Sequence, residues 1–458
     1  DEYMFGSNLL VAPMLEEGSG RDVYLPGRQK WIDYQTGKVY APGWNHIKCG
    51  TLPIVILVKD GSAIPHIPVA QCTDQMKWDK ITWKKYLADE KKAKGLLCLP
   101  QDGQKLLFLA LPLLFGLQAS AQHTQAFQDT TLTDEQRVEH LLSILTLDEK
   151  INLLSTDLGV PRLNIPRCGH YEGLHGLTLG GPAMWGGRQR TEDGKVVPTD
   201  CPTTIFPQSY GLGSTWDTDL VQKVAEQAAE EARYYMQTTG NKRHALVMRA
   251  PNADLARDPR WGRTEESFGE DAFLTAQLTI ASVRGLQGNH PRYWKTASLM
   301  KHFLANSNED GRDSTSSDFD TRLFHEYYAY PFYKGITEGG SRAFMAAYNS
   351  WNGIPMSIHP CLEEITRKQW GNNGIICTDG GALKLLIEAH KSFPSFAEGA
   401  AAVVKATTGQ FLDAYVPYVK EALEKGLLTE VDIDKAIRGN IFVALKLGLL
   451  DGDNSRNP

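Results

Sequence analysis

From residue 122 to residue 458, short apolar runs alternate with helical patterns, and this alternation limits the possible folds more than any other feature. Predicted helices such as Asp217 to Met236 and Phe324 to Ile336 separate the apolar runs. The runs themselves are Ala245 to Met248, Ser298 to Met300, Ala343 to Ala347 and Gly374 to Cys377. Repeated strand–helix units favour an α/β fold with a parallel sheet, and this many units favour a (β/α)8 TIM-type barrel.

Residues 1–103 have the pattern of an all-β sandwich fragment. Short runs rich in Val, Ile, Leu and Tyr are separated by turn signals containing Gly, Pro, Ser and Asp. The predicted strands are Tyr3 to Met14, Arg21 to Leu25, Trp31 to Tyr34 and Leu52 to Val58. We therefore expect a sandwich fragment ahead of the barrel.

Residues 104–121 resemble a secretion signal placed between these two parts. Lys105 precedes an apolar core of signal-peptide length, and the small residues Ala119 and Ala121 follow as a cleavage pattern. The segment is short for a spanning helix, and Pro112 and Gly116 interrupt it, although a buried core helix is the alternative. The pattern predicts a periplasmic or secreted location for the part that begins near Gln122, with the location of the fused chain left open.

Charge and cysteine usage exclude several classes of partner. The formal net charge of −6 and the pI near 6.1 give no basic surface for nucleic acid, and no membrane partner is expected. The seven cysteines include no Cys-x-x-Cys pair, so neither a zinc site nor a disulfide framework is indicated. We expect no cofactor and no metal ion, and the sequence leaves the oligomeric state open.

Asp379 is the strongest candidate for a reactive group. It comes directly after the apolar run that begins at Gly374, where a barrel strand would present a catalytic side chain. The alternative is an Asp that caps the next helix.

Other polar residues follow the remaining strands. Arg263 lies in a charged loop from Arg257 to Asp271, Lys301 and His302 follow the next strand, and Tyr348 follows the one after. A charge run of this kind is usually a solvated face. Together with Asp379, however, these residues could form a pocket for several hydroxyl groups and one attacking carboxylate.

This set of motifs resembles glycoside hydrolase family 3, the β-glucosidase and β-xylosidase family, over residues 131 to 450. In order, the motifs are Leu145-Thr-Leu-Asp-Glu-Lys-Ile151, Glu172-Gly-Leu-His175-Gly, Phe206-Pro207, the Arg257 to Asp271 loop, Lys301-His302-Phe303, Tyr348-Asn349-Ser-Trp-Asn-Gly and Thr378-Asp379. The resemblance implies that Asp379 is the catalytic nucleophile. It also implies that Arg263, Lys301, His302 and Tyr348 hold the first sugar, with Glu172 on its far hydroxyls.

The chain departs from the family pattern at two places. Gly380 follows the nucleophile where the family often has Trp, so one aromatic wall of the subsite is expected to be missing. The acid/base glutamate of the family usually lies in a following α/β domain, and we expect it to be absent here. Glu309 and Asp310 are the nearest candidates within the barrel. The segment Lys301 to Asn306 also lacks the Lys-His-Phe-Pro-Gly loop of the branch that acts on N-acetylglucosamine.

The first hundred residues resemble the β domain that follows the catalytic barrel of glycoside hydrolase family 31. The resemblance rests on Tyr3-Met4-Phe5-Gly6, Leu9 to Pro13, Arg21 to Pro26, Trp31 to Gly37 and Gly61 to Pro65. In that family this region supports the barrel, so it implies no catalysis here.

The expected function is that of an exo-acting, retaining β-glycosidase of hemicellulose degradation that acts on a small oligosaccharide or glycoside. The resemblance associates a Glu at position 172 with pentoses, which favours a β-xyloside over a β-glucoside and leaves arabinosides open. Two alternatives remain: a sugar-binding remnant without turnover, and a fusion product whose folding is compromised.

Overall fold

The computed structural model describes residues 2–5, 8–14, 18–50, 52–66, 81–90, 92–98, 105–109, 125–178, 188–190, 196–198, 202–238 and 245–451. The chain divides into two compact units, Asp1–Ala121 and Gln122–Pro458. Each unit is described by itself.

The first unit is built from β-strands, as its sequence pattern predicts. The strands are β1 (Tyr3–Phe5), β2 (Leu9–Pro13), β3 (Gly20–Leu25), β4 (Trp31–Asp33), β5 (Val39–Tyr40), β6 (Gly43–Lys48), β7 (Ile54–Lys59), β8 (Ser62–His66), β9 (Thr82–Tyr86), β10 (Lys94–Cys98) and β11 (Lys105–Leu109). They form a five-stranded sheet in the order β1-β2-β7-β4-β5, a β3-β6 pair and a four-stranded sheet in the order β11-β10-β8-β9.

One hydrophobic core joins the five-stranded sheet to the β3-β6 pair. Leu10 and Leu57 from the sheet are buried together with Val23 and Ile47 from the pair, and Trp31 is 1% exposed. Alternate residues of each strand point to the same side, so two sheets can bury one face of each against the other.

The signal-like segment lies only partly within the described residues. Lys105–Leu109, its first part, is strand β11 and pairs antiparallel with β10. The structure therefore assigns these residues to the first unit's sheet, where the sequence pattern predicts a linker. The rest of the predicted signal, residues 110–121, lies outside the described residues.

The second unit alternates strands and helices. Its strands are β12 (Gly169–Glu172), β13 (Arg188–Arg190), β14 (Val196–Pro198), β15 (Ala245–Arg249), β16 (Ala297–Phe303), β17 (Ser316–Ser317), β18 (Ala343–Ala346), β19 (Ser350–Trp351), β20 (Ile354–Pro355) and β21 (Ile375–Thr378). Its helices are α1 (Asp134–Ile144), α2 (Leu147–Asn152), α3 (Ser209–Gly213), α4 (Thr218–Gln237), α5 (Ala272–Gln287), α6 (Thr321–Leu323), α7 (Tyr330–Thr337), α8 (Ala382–Glu388), α9 (Phe396–Lys405), α10 (Val416–Glu424) and α11 (Glu430–Lys446).

A parallel sheet in the order β12-β15-β16-β18-β21 organises the second unit. Because all five strands run the same way, their carboxyl ends meet at one edge, where α/β proteins place their sites. The predicted α/β class is confirmed. The described residues show a five-stranded parallel sheet, so the closed eight-stranded barrel goes beyond what they establish.

The helices begin where local capping residues predict. The side chain of Thr133 accepts a hydrogen bond from the backbone of Gln136, which completes the predicted capping box at α1. The predicted apolar face of α1, which includes Val138 and Leu141, is buried in the core. The predicted helix over Phe324 to Ile336 is divided into a π-helical turn and α7, which has Pro331 in its first turn.

Within the part of the chain that the structure describes, no helix is long and apolar enough to cross a membrane.

Candidate active site

Asp379 lies directly after the last residue of β21, at the carboxyl edge of the parallel sheet. Its side chain is 15% exposed, and its Oδ1 accepts a hydrogen bond from the backbone N–H of Gly380 at 2.7 Å. The alternative role as a helix cap is filled by another residue, because Oδ2 of Asp413 accepts from the N–H of Leu383 in the first turn of α8 at 2.9 Å. The Asp379 carboxylate is therefore not used to cap that helix.

The surroundings of Asp379 act on its charge in opposite directions. Burial raises the pKa of Asp379, while the Gly380 N–H, Lys301, Arg263 and Tyr348 lower it, and the net result is a pKa above the usual value. A carboxylate in such a place is poorly hydrated but still faces cations, which is a suitable state for a nucleophile.

His302 lies beside Asp379 and is neutral. Its Nε2 is 3.9 Å from Oδ2 of Asp379, and its Nδ1 is 2.9 Å from Oδ2 of Asp254. Burial lowers the pKa of His302 well below its usual value, and Arg263 and Lys301 lower it further. Burial raises the pKa of Asp254 to about 7.

Arg263 connects His302 to a second carboxylate. Its Nε and Nη2 donate to both oxygens of Glu266 at 2.8 and 2.7 Å, and Nη2 also donates to Nε2 of His302 at 3.1 Å. The paired hydrogen bonds hold the guanidinium plane in one orientation. Burial alone would raise the pKa of Glu266, but Arg263 outweighs burial and the pKa is lowered.

Glu172, the last residue of β12, joins two cations from neighbouring strands. Its Oε1 accepts from Nη1 of Arg249 at 2.9 Å, and its Oε2 accepts from Nζ of Lys301 at 3.0 Å. Burial opposes ionisation of Glu172, but Lys301 and Arg249 together lower its pKa below the usual value. This corner of the pocket therefore holds a carboxylate paired with two cations.

Tyr348 contacts Gly380, the residue that follows Asp379. Its hydroxyl donates to the carbonyl of Gly380 at 2.7 Å, and the guanidinium of Arg312 lies 4.9 Å from the centre of its ring. Burial raises the pKa of Tyr348, and the nearby charge of Asp379 raises it further, so the phenol remains protonated.

The six residues predicted from the sequence are thus brought into one connected site. The remaining predicted candidates, Glu309 and Asp310, have other surroundings. Glu309 accepts from the indole N–H of Trp261 at 3.1 Å and pairs with Arg312 at 2.8 Å, and Asp310 is exposed. The roles of all these residues remain predictions that geometry alone does not test.

Several partners in the site were not predicted from the sequence: Arg249, Asp254, Glu266 and Asp413. Two of them carried a usable signal. Arg249 is the last residue of β15, and polar residues at the carboxyl ends of parallel strands are candidates for a site. Glu266 follows Arg263 by three positions in the charged loop. Asp254 and Asp413 are isolated acidic residues in loops, and nothing in their local sequence indicates their partners.

A parallel α/β sheet with a mostly buried carboxylate, a histidine and paired cations at its carboxyl edge has the composition of an enzyme site. Comparison with known families makes the class specific. Residues 178–439 match the glycosyl hydrolase family 3 N-terminal domain, and residues 1–64 match the glycosyl hydrolase family 31 C-terminal domain. The chain belongs to glycosyl hydrolase family 3.

Individual relatives agree with this assignment. The chain is similar to probable β-D-xylosidase 7 of Arabidopsis thaliana, with 31% identity over 381 residues, 78% of this chain and 48% of that protein. It is also similar to a probable exo-1,4-β-xylosidase of Aspergillus terreus, with 34% identity over 336 residues, 70% of this chain and 42% of that protein. The chain therefore spans about half the length of these curated relatives.

A solved structure resembles this chain in fold. It is a family 3 exo-β-xylosidase in complex with a xylobiose aziridine activity-based probe, and it matches with a TM-score of 0.64 and 23% identity. The match covers 72% of this chain and 42% of that chain. At this level of identity the likeness shows the fold alone.

Proposed function

We propose that this chain carries the nucleophile and the first sugar subsite of an exo-acting, retaining β-glycosidase that releases terminal β-linked xylose. The observation that carries the proposal is the position of Asp379. It is a mostly buried carboxylate directly after β21, with the ring of His302 at 3.9 Å, and the charges of Lys301 and Arg263 favour its ionised form.

In the proposed reaction, an oxygen of Asp379 forms a bond to the anomeric carbon while the bond from that carbon to the leaving oxygen breaks. The departing oxygen takes a proton from a general acid, and water later releases the sugar and regenerates the carboxylate. Lys301 and Arg263 stabilise the negative charge of the carboxylate before attack. The ion-paired corner around Glu172 holds the far hydroxyls and closes the pocket behind one sugar, which suits removal of a terminal residue.

The proton donor is the open part of this mechanism. Among the described residues, the carboxylates around Asp379 are engaged: Glu172 with Arg249 and Lys301, Glu266 with Arg263, Asp254 with His302, and Asp413 with the backbone N–H of Leu383. Glu309 is paired with Arg312. We propose that the acid/base comes from a segment other than these, and a binding pocket without turnover is the second candidate function that the same observation favours.

Xylose is preferred to glucose as the proposed sugar for two reasons. Glu172 is one methylene longer than an Asp and would occupy the space that a hydroxymethyl group needs. The curated relatives compared above are named as β-xylosidases. A β-glucosidase is the alternative.

Two wider proposals accompany this function. We propose that the five-stranded sheet belongs to a (β/α)8 barrel, supported by a parallel bridge between Cys377 and Gln410 that continues the sheet beyond β21.

We also propose a periplasmic or secreted location, supported by the signal-like composition of Lys105 to Ala121.

Covalent labelling tests the assignment of the nucleophile. A dinitrophenyl 2-deoxy-2-fluoro-β-xyloside needs no protonation of its leaving group, so it should xylosylate the protein even without a general acid. We expect peptide mass spectrometry to find the label on Asp379, and we expect Asp379→Ala to abolish it. The exposed Asp310→Ala variant is the matched control and should label normally.

The same reagent class separates the two candidate functions. With the ordinary dinitrophenyl xyloside, a burst of dinitrophenol followed by slow turnover indicates a nucleophile without its base, and azide should then accelerate release as the β-xylosyl azide. Binding without any burst would leave only the non-catalytic function. Label on Glu309 or Asp258 would show that the nucleophile is assigned wrongly.

A further inference from the structure

A polar cavity of about 220 Å³ lies among the loops that follow β16 and β18. We call it the asparagine cavity, and the residues that define it are Arg257, Asn306, Ser317, Phe319, Tyr328 and Asn349. None of the six predicted site residues lines it. We propose that the asparagine cavity is a second binding site, for one neutral polyhydroxylated molecule of monosaccharide size, and that it is separate from the pocket around Asp379.

Unsatisfied amide groups are the first observation behind this proposal. Asn306 is 1% exposed, and neither its Nδ2 nor its Oδ1 has a hydrogen-bond partner within the described part of the chain. Asn349 is 3% exposed; its Nδ2 donates to the carbonyls of Leu304 and Ser350 at 3.1 Å, which leaves its Oδ1 as an unpaired acceptor. Buried amides are rarely left unpaired, and a water or a ligand that both donates and accepts hydrogen bonds would satisfy these groups.

Two aromatic side chains, Phe319 and Tyr328, line the cavity beside these amides. The rings of Phe319 and Tyr328 lie 4.5 Å apart between centroids, and the guanidinium of Arg257 lies over the Tyr328 ring at 5.1 Å and donates to its hydroxyl. Aromatic side chains supply apolar contact area to a sugar, while amides bind its hydroxyls.

Charge and size narrow the occupant further. Arg257 and Asp318 are the charged residues that line the cavity, and their formal charges cancel, which favours a neutral ligand. Pockets for drug-sized ligands hold about 300–1,000 Å³, so this smaller space suits a pentose or hexose. A free monosaccharide and the terminal unit of an oligosaccharide share this chemistry.

Crystals of the full chain soaked with D-xylose give the direct test, because they locate the sugar. We expect xylose in the asparagine cavity with hydroxyls on Asn306 and Asn349. Ordered water alone in the cavity, with xylose bound elsewhere or nowhere, would overturn the inference. Xylose in the asparagine cavity but not beside Asp379 would support it while contradicting the proposed catalytic subsite, so the two proposals fail separately.

Solution binding of D-xylose, measured by saturation-transfer NMR, tests the site with two variants. Asn306→Leu keeps the side-chain size but removes the amide, and Asn308→Trp blocks the cavity from an exposed loop position where folding should be unaffected. We expect each variant to weaken xylose binding at this site at least tenfold. Xylotriose distinguishes a site for a free monosaccharide from a site for the end of an oligosaccharide. A chain-end site binds xylotriose more tightly than xylose, and a monosaccharide site does not. Undiminished binding in both variants would refute the proposal.

Discussion

Nη2 of Arg263 donates a hydrogen bond to Nε2 of His302 across 3.1 Å, and this contact determines the protonation of the histidine. A guanidinium has only donors, so Nε2 must be the acceptor and the ring proton must be on Nδ1. That proton points to Oδ2 of Asp254 at 2.9 Å. Arg263, His302 and Asp254 therefore form one directed chain of hydrogen bonds, and its middle member, His302, places Nε2 3.9 Å from Oδ2 of Asp379.

Asp254 is expected to support this chain as a positioning residue. Its Oδ2 accepts both the backbone N–H and the Nδ1–H of His302, so Asp254→Ala leaves two buried donors unpaired. We expect a loss of about 1–3 kcal/mol in the free energy of unfolding, measured by urea denaturation. Asp254→Asn still accepts through its amide oxygen and should lose less. Equal losses in the two variants would contradict the proposed hydrogen-bonding role.

Glu172→Asp should shift the sugar preference toward glucosides. The shorter carboxylate cannot maintain both its 2.9 Å contact to Arg249 and its 3.0 Å contact to Lys301, and it leaves room for a hydroxymethyl group. We expect a change of about 1–3 kcal/mol in discrimination, measured as the ratio of kcat/KM for dinitrophenyl xyloside and glucoside. The exposed Glu326→Asp variant should keep the original ratio. An unchanged ratio in Glu172→Asp would exclude the contact.

Asp379→Asn should stabilise the protein at neutral pH. Because burial raises the folded-state pKa of Asp379 above the usual 3.8, the folded state binds its proton more tightly than the unfolded state does. Stability is therefore lost as pH rises through the raised pKa, and Asn avoids that loss. We expect a gain on the order of 1 kcal/mol at pH 7 that shrinks toward pH 4 in urea denaturation. A gain that is independent of pH would argue against this cause, and Asp310→Asn serves as the control.

The strands of the parallel sheet were predictable because four of them are buried on both faces. Such strands are continuous apolar runs, and the predicted runs fall on β15, β16, β18 and β21. β12 was not predicted, because its sequence Gly-His-Tyr-Glu has only one apolar side chain. Its His170 and Glu172 are instead held by polar partners, Gln410 and Arg249, that no local pattern reveals.

The residues of the site were predictable to the extent that strand ends and family motifs place them. Their partners were not, because each pairing is made by the fold between distant segments. Asp254 and His302 are 48 positions apart, and Glu172 and Lys301 are 129 positions apart. The charged loop from Arg257 to Asp271 illustrates this point, because its sequence is also typical of a solvated surface. Only the ion pair between Arg263 and Glu266, whose side chains are 20% and 15% exposed, shows that the loop belongs to the pocket.

The two glycines after Asp379 should respond differently to substitution. A Cβ on Gly380 would have the Tyr348 hydroxyl as its nearest neighbour, at 3.8 Å, which is an ordinary contact. Gly381 has a φ of +82°, a left-handed conformation that disfavours any residue with a Cβ. We expect Gly380→Ala to change stability by less than about 0.5 kcal/mol and Gly381→Ala to cost about 1–2 kcal/mol. Thermal denaturation of both variants checks this, and equal losses would contradict it.

Gly380→Trp should restore an aromatic wall beside the nucleophile. A Cβ on Gly380 would meet only the Tyr348 hydroxyl within 4 Å, and Gly380 is not among the glycines with positive φ. An indole face against the sugar is worth about 1 kcal/mol, so we expect KM for dinitrophenyl glycosides to fall about fivefold while kcat changes little. Gly380→Leu, which adds bulk without an aromatic face, is the matched control. If Trp and Leu lower KM equally, the effect is general burial of apolar surface and not an aromatic contact. If Trp raises KM, the bound sugar already occupies the region beside Asp379, and the interpretation that an aromatic wall is missing is wrong.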